Sequence, residues 1–277
     1  FNYEVRFTLA DYQSTIDKYN NPEKKLGDDY YYEGMKVGEI WGYETEGFFT
    51  SQADIDSHAK QPYFYAGATA GQWLPGDIKF KDLNGDGVID YGNNTVDNPG
   101  DQKIIGNSEP RFIYGINLSG DWNNFFVSAF FQGVGKQDWW PGSEASYFWG
   151  MYNRPYNDMP KSHLGNIWTE ENPNPRAVYP RIYGGHSLDD YNQYFSDYQL
   201  FDSDYFRIKS ISLGYMVPIN VVKSWGLSSL KLFVTGENLF TLRADDKMKD
   251  FDPESPSGRG LSYLGSKSVA FGVNVSF

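Results

Sequence analysis

The chain has 277 residues, a formal net charge of −12, no cysteine and an aromatic share of 18%. The acidic balance argues against a nucleic-acid partner, and the missing cysteine excludes disulfides, thiolate metal sites and cysteine nucleophiles. No run approaches about 18 consecutive apolar residues, which excludes a transmembrane helix; a membrane β-barrel leaves no such run, because half of each strand faces a polar interior.

Residues 1–12 open on alternation. Phe1, Tyr3, Val5, Phe7 and Leu9 oppose Asn2, Glu4, Arg6 and Thr8, so a strand is predicted with one apolar and one charged face. The pattern is already running at Phe1, with no Met and no apolar leader before it, so the sequence reads as a piece of a longer polypeptide. Residues 13–110 are irregular and rich in Gly, Asp, Asn and Tyr. Gly38–Phe49 within them has strand character, but as a wall strand it would break the in-out parity, so it is placed in the loop. Strands follow at 111–120, through Phe112, Tyr114, Ile116 and Leu118, and at 124–134, through Phe125, Val127, Ala129 and Phe131. The sequence between them, Gly120 to Asn124, reads as a tight turn.

A second irregular stretch covers 135–203. The strand at 205–218 puts Ile211, Leu213, Tyr215 and Val217 on one face but Phe206 and Ile208 on the other, which predicts a bulge between the two groups. A turn of about ten residues precedes the strand at 229–240, which carries Leu230, Leu232 and Val234. A loop at 241–267 leads to the last strand, 267–277. There Val269, Phe271, Val273, Val275 and Phe277 alternate with Ser268, Ala270, Gly272, Asn274 and Ser276.

The connections run very long, short, very long, short, long. Outer-membrane barrels have short periplasmic turns and longer extracellular loops. The expected fold is therefore all-β: the C-terminal part of one transmembrane antiparallel β-barrel domain, with extracellular loops at 13–110, 135–203 and 241–267. Six strands close no wide barrel, so further strands are expected upstream.

The strongest local motif is Asp82-Leu83-Asn84-Gly85-Asp86-Gly87-Val88-Ile89-Asp90. Oxygen ligands at alternate positions, a glycine for the sharp turn and the Val88 carbonyl are what a calcium loop needs. Its twelfth position is Asn93, a weak ligand, and Asp97 or Asp101 is the candidate for the missing carboxylate. A loop-ordering Ca²⁺ held by Asp82, Asn84, Asp86, Val88 and Asp101 is the expectation, against magnesium or an ion-free Gly/Asp turn.

Several segments in this order resemble one family. They include Gly38-Glu39-Ile40-Trp41-Gly42-Tyr43, Pro75-Gly76-Asp77-Ile78, the Asp/Asn/Gly loop, and Ile104-Ile105-Gly106-Asn107-Ser108-Glu109-Pro110-Arg111. Phe130-Phe131-Gln132-Gly133, Tyr205-Phe206-Arg207-Ile208-Lys209, Gly236-Glu237-Asn238-Leu239-Phe240 and Asp252-Pro253-Glu254 follow. Together they resemble the C-terminal portion of the SusC/RagA family of TonB-dependent outer-membrane transporters. The resemblance implies a 22-stranded barrel around a plug that is not on this chain. It further implies TonB-driven uptake of an oligosaccharide or a peptide, a SusD-like surface lipoprotein as lid, and a dimer of transporter–lipoprotein pairs. It also supports Asp101 as the displaced loop ligand.

Trp139, Trp140, Tyr147, Phe148, Trp149, Tyr152 and Tyr156 crowd the second outer loop. They serve either loop or lid packing, or stacking on a sugar ring, and Tyr30–Tyr32 and Tyr63–Tyr65 pose the same choice. Glu4, Arg6, Arg207, Lys209 and Glu237 are expected to line the lumen or touch the plug. His58, His163 and His186 show no ligand spacing. No catalytic residue is expected: Glu170-Glu171 and Asp189-Asp190 are adjacent pairs that diverge on an extended chain, unlike the facing carboxyls of a glycosidase. The main alternative is a secreted, calcium-stabilised, carbohydrate-binding β-sandwich.

Overall fold

The computed structural model describes residues 1–27, 30–62, 73–142, 145–152, 158–182, 192, 194–255 and 265–277. Six strands form one antiparallel sheet: β1 (Asn2–Ala10), β6 (Arg111–Trp122), β7 (Phe125–Lys136), β10 (Tyr205–Met216), β11 (Ser229–Arg243) and β12 (Ser268–Ser276). Their spatial order is the chain order, and β1 and β12 are the two edges. Six further short strands stay off this wall: β2 (Glu39–Tyr43), β3 (Thr45–Phe48), β4 (Ile78–Phe80), β5 (Gln102–Asn107), β8 (Asp138–Trp139) and β9 (Phe201–Asp202). They pair as β2 with β5, β3 with β4 and β8 with β9. Gly38–Phe49 thus belongs to the outer loop, as its parity requires.

The wall registers bring the apolar positions of all six strands to one face. Val5 opposes Leu118, Leu118 opposes Ala129, Ala129 opposes Ile211, Ile211 opposes Gly236 and Gly236 opposes Val269. The predicted bulge is present: β10 shifts register between Ile208 and Ser210 against both neighbours. The shift turns Phe206 and Ile208 to the face of Ile211 and Leu213, since one extra residue inverts a strand's parity.

Two local readings are corrected. The β6–β7 turn is only Asn123-Asn124, at φ 52° and 71°, and Gly120–Trp122 remain in the strand. A two-residue hairpin turn wants positive φ at both positions, which asparagine tolerates best after glycine. After the short helices α1 (Gln52–Ser57) and α2 (Ser146–Trp149) of the long loops, the β10–β11 connection contains a third, α3 (Ile219–Val222), which the sequence did not announce.

Candidate functional site: a two-faced wall under a folded cap

On the outer face of the wall, Phe271, Val273 and Val269 are 86%, 64% and 60% exposed, and Val5, Phe7, Leu213, Leu232 and Phe240 are exposed with them. An apolar surface this continuous needs an apolar neighbour. The opposite face carries Glu4, Arg6, Asn117, Ser128, Gln132, Ser212, Thr235 and Asn274. Near the short-turn rim it also holds two rings laid over glycines. A Cβ on Gly214 would lie 2.1 Å from the Phe126 ring, and one on Gly272 would lie 2.1 Å from the Phe233 ring. The Lys231 ammonium sits 3.9 Å from the Phe126 centroid, a cation–π contact. Apolar outside and polar inside is the pattern of a membrane barrel wall. Phe271→Arg is therefore expected to cost about 2–4 kcal/mol, the range for arginine at the bilayer midplane, whereas Asn274→Arg on the inner face costs far less. Unfolding titrations of the two variants in lipid check this.

Above the long-loop rim, the three outer loops share one aromatic core. Tyr43, Phe49, Ile78 and Phe80 from the first loop meet Trp139, Trp140, Phe148, Trp149, Tyr152, Tyr179 and Phe201 from the second and Phe251 from the third. The Phe148 and Trp149 rings meet edge to face at 4.8 Å, and Trp140 stacks on Phe195 at 3.8 Å. Of the readings open for the second loop's aromatics, this is loop packing. Trp139, Trp140, Trp149 and Tyr152 are all buried, so they hold the cap together and present no surface to a substrate or a lid. The Tyr147 side chain, Tyr63–Tyr65, Tyr156, His186 and Asp189-Asp190 lie outside the described residues. Exposed aromatic surface on the cap comes instead from Tyr19, Tyr30, Tyr31 and Tyr91, with Tyr19 and Tyr31 edge to face at 5.5 Å. Of the other histidines, His58 Nε2 pairs with the Phe80 carbonyl at 2.8 Å, and His163 is buried with Nε2 on the Phe148 carbonyl at 2.7 Å.

The Asp-rich loop folds through its own backbone. Asp82 accepts N–H bonds from Gly85 (2.6 Å) and Gly87 (2.8 Å), Asn84 Oδ1 accepts from Asp86 (2.8 Å), and Asp86 accepts from Val88 (2.8 Å). Asp101 is fully buried at the base. One carboxylate oxygen accepts from Leu83 (2.7 Å) and Asn84 (3.4 Å), the other from Asp90 (2.8 Å). Asp101 therefore ties the two arms of the loop together. Asp97 is exposed and faces Lys24 at 3.7 Å. Among the described residues, no three Asp, Glu or His side chains converge as a metal centre would need.

The third outer loop is strapped to the inner wall. Arg207 of β10 is buried beside Asp252 (Nη2 to Oδ1, 2.5 Å) and Glu254 (Nη1 to Oε2, 2.5 Å), and its Nε donates to Thr241 Oγ1 at 2.9 Å. Lys209, the bulge residue, pairs with Glu254 at 2.8 Å. Asp252 also accepts the Glu254 N–H (3.1 Å) and the Gly265 N–H (3.3 Å), gathering both arms of the loop. Burial alone would push the Asp252 carboxyl up, but Arg207 and these N–H donors bring it below its ordinary range. Arg207 and Lys209 are thus occupied by the loop, a contact that sequence position alone does not reveal.

No family model matches the chain. It is 26% identical over 255 residues to TonB-dependent receptor P3 of Formosa agariphila, covering 88% of this chain and 22% of that protein. It is likewise 26% identical over 261 residues to TonB-dependent receptor P26 of the same organism, covering 88% and 23%. The RagAB peptide importer in its open-open state superposes over the whole chain and 27% of its own, with a TM-score of 0.64 at 16% identity; the closed-closed state gives 0.65. The chain is thus similar in sequence to TonB-dependent receptors and in fold to the RagAB importer. It spans less than a quarter of the length of those two curated relatives. The wall is that of an outer-membrane β-barrel, with its apolar face turned to lipid.

The joint between wall and cap is acidic. Asp138 and Asp202 stand directly opposite each other in the β8–β9 pair. Asp204 accepts the Gln137 N–H at 2.6 Å and donates its own N–H to Asp202 at 2.9 Å. Burial, then the Asp202 charge, pushes the Asp204 carboxyl up to about 6, with Asp138 adding to the rise. Burial likewise raises Asp138, against Lys136 and the Asn107 N–H, which lower it. A carboxyl whose folded pKa lies above its unfolded value favours the fold when protonated. Its support is complete below about 4, the unfolded value, and is lost as pH rises through about 6. Hydrogen exchange of the β8–β9 amides, corrected for the intrinsic pH dependence, should therefore show more protection at pH 5 than at pH 7.5. Asp204→Asn should flatten that difference.

Proposed function

We propose that this chain supplies closing wall strands and outer loops to a TonB-dependent importer that carries a large nutrient, an oligosaccharide, across the outer membrane. The observation that carries this reading is the wall itself. One face is apolar across all six strands, the other is polar, and the long loops fold into a single cap on one rim. Further strands and a plug from the same polypeptide would complete the pore, and TonB would act through the plug. A SusD-like surface lipoprotein would close the outer mouth, and transporter–lipoprotein pairs would associate as dimers. Energy enters through TonB, so the chain needs no catalytic residue and breaks no bond in its cargo.

The exposed tyrosines Tyr19, Tyr30 and Tyr31 are where a sugar ring would stack, since Trp139, Trp140 and Trp149 of the cap are buried. A peptide cargo is the second reading, favoured by the fold shared with a peptide importer. Purification of the intact receptor from native membranes, with mass spectrometry of co-purifying chains and small molecules, tests all of this. The proposal expects a lipoprotein and hexose-based masses. Peptide masses would move the assignment to the second reading, and a receptor stable without detergent or lipid would end both.

Calcium in the Asp82–Asp90 loop is a separate proposal, supported by Asp82, Asn84 and Asp86 at alternate positions with Val88 following. Added Ca²⁺ should raise the midpoint of thermal unfolding of the cap. Asp82→Asn with Asp86→Asn should abolish the rise.

A further inference from the structure

The short-turn rim carries an element that neither the wall nor the cap explains. Val217 closes the β10–β11 ladder on the Leu230 carbonyl at 2.9 Å. The chain then makes α3, a 3-10 turn at Lys223–Trp225 and a left-handed Gly226 at φ 74°. Val222 is fully buried and roots this segment, while Ile219, Val221 and Trp225 are left 47%, 42% and 60% exposed. Val221 and Trp225 are four residues apart and share a helix face. Lys223, Asn220 and Ser224 are exposed beside them. Three apolar side chains within seven residues, none of them buried by protein, call for another apolar surface.

The surroundings indicate which one. Met216, at the start of the turn, pairs with Lys231 and so belongs to the inner face; it stays 50% exposed, so the turn does not fold over the inner wall. On the outer face of the same rim stand Trp122, Phe125 and Phe277, all exposed. The end of the turn is tied to the last strand at this rim: the Ser228 N–H donates to the Ser276 carbonyl at 2.8 Å, and its hydroxyl to the Phe277 carbonyl at 3.3 Å. The exposed apolar side chains of the turn thus stand at the same rim where the outer apolar belt ends.

We infer that the segment from Ile219 to Trp225 is a membrane foot, lying in the interface of the phospholipid leaflet on the short-turn side. Val221 and Trp225 enter the glycerol–acyl boundary, where an indole finds both apolar contact and a partner for its N–H. The Lys223 ammonium reaches the phosphate layer, its stem lying along the apolar surface. The occupant is glycerophospholipid. The inference rests on the membrane reading above, and its test separates the two.

The chain has no cysteine, so Trp225→Cys and Val221→Cys each create one new labelling site within it, with the unsubstituted receptor as blank. Each variant of the whole receptor carries an environment-sensitive fluorophore in nanodiscs of phosphatidylethanolamine and phosphatidylglycerol. Some of these lipids bear a nitroxide near the headgroup and others at the chain end. Labels at Val273→Cys and at Asn123→Cys mark the bilayer interior and the aqueous turn. The inference expects blue-shifted emission at 225 and 221, with more quenching by the headgroup-side nitroxide than by the chain-end one and little by aqueous iodide. Iodide quenching equal to that at 123 overturns it. Protection from both lipid and iodide also overturns it and points to a periplasmic protein surface such as the plug. Loss of nitroxide quenching at 273 instead means that the membrane reading has failed.

Discussion

Arg207→Ala should release the third outer loop from the wall. The guanidinium is only 5% exposed, and it faces the Asp252 carboxylate, itself 9% exposed, through a contact of 2.5 Å. Removing one partner of a buried pair leaves the other charge without compensation, which costs about 3–5 kcal/mol. The loss should fall on the loop. Asp252 gathers residues 254 and 265 and Arg207 holds Asp252, so hydrogen exchange in 244–255 and 265–267 should rise steeply. β12 should keep its protection, because its ladder to β11 does not involve the pair. Asp252→Asn alone should have a comparable effect. The double variant Arg207→Met, Asp252→Asn should recover much of the loss, since no unpaired charge of that pair remains, though Glu254 would keep only Lys209. Equal exchange in the single and double variants would mean that shape, and not charge, holds the loop.

The wall was legible because its periodicity is local. Phe271, Val273 and Val275 declare their face within one strand, and a wall strand needs only its own two-residue repeat to do so. The bulge was legible for the same reason: Phe206 and Ile208 break phase with Ile211, and one extra residue in β10 restores it. The cap was not legible, because its order comes from pairs distant in sequence. Glu39–Tyr43 pairs with Gln102–Asn107, and Asp138 meets Asp202. A run of aromatic residues such as Trp139-Trp140 reads alike whether it faces water or a core. What decides is whether other loops arrive to cover it, and here Phe201 and Phe251 do. Asp101 shows the same limit. Its spacing marks it as a candidate ligand, and the sequence does not show that both of its oxygens also accept backbone N–H groups of the loop it closes. The α3 turn hid because it is short and lacks a capping side chain, leaving only Pro218 as a start signal.

Trp149→Ala tests whether the cap is a cooperative unit distinct from the wall. Trp149 is fully buried, stands edge to face against Phe148, and donates its indole N–H to the Gly142 carbonyl at 3.0 Å. Truncating a buried tryptophan removes both the transfer energy of the ring and the contacts around the cavity it leaves, about 3–5 kcal/mol in all. Trp149→Phe keeps most of the volume and should cost less, with the Gly142 carbonyl losing its donor. The cap draws on three loops, so damage at Trp149 should spread through the shared core. Exchange should rise together at β2, β4, β8 and Tyr179, although these lie up to 110 residues from the substitution. β10, β11 and β12 pair with one another through wall registers in which Trp149 has no part, and their protection should hold. Exchange confined to α2 (Ser146–Trp149) would show that the loops fold independently. Loss of protection in β12 would show that wall and cap form one cooperative body.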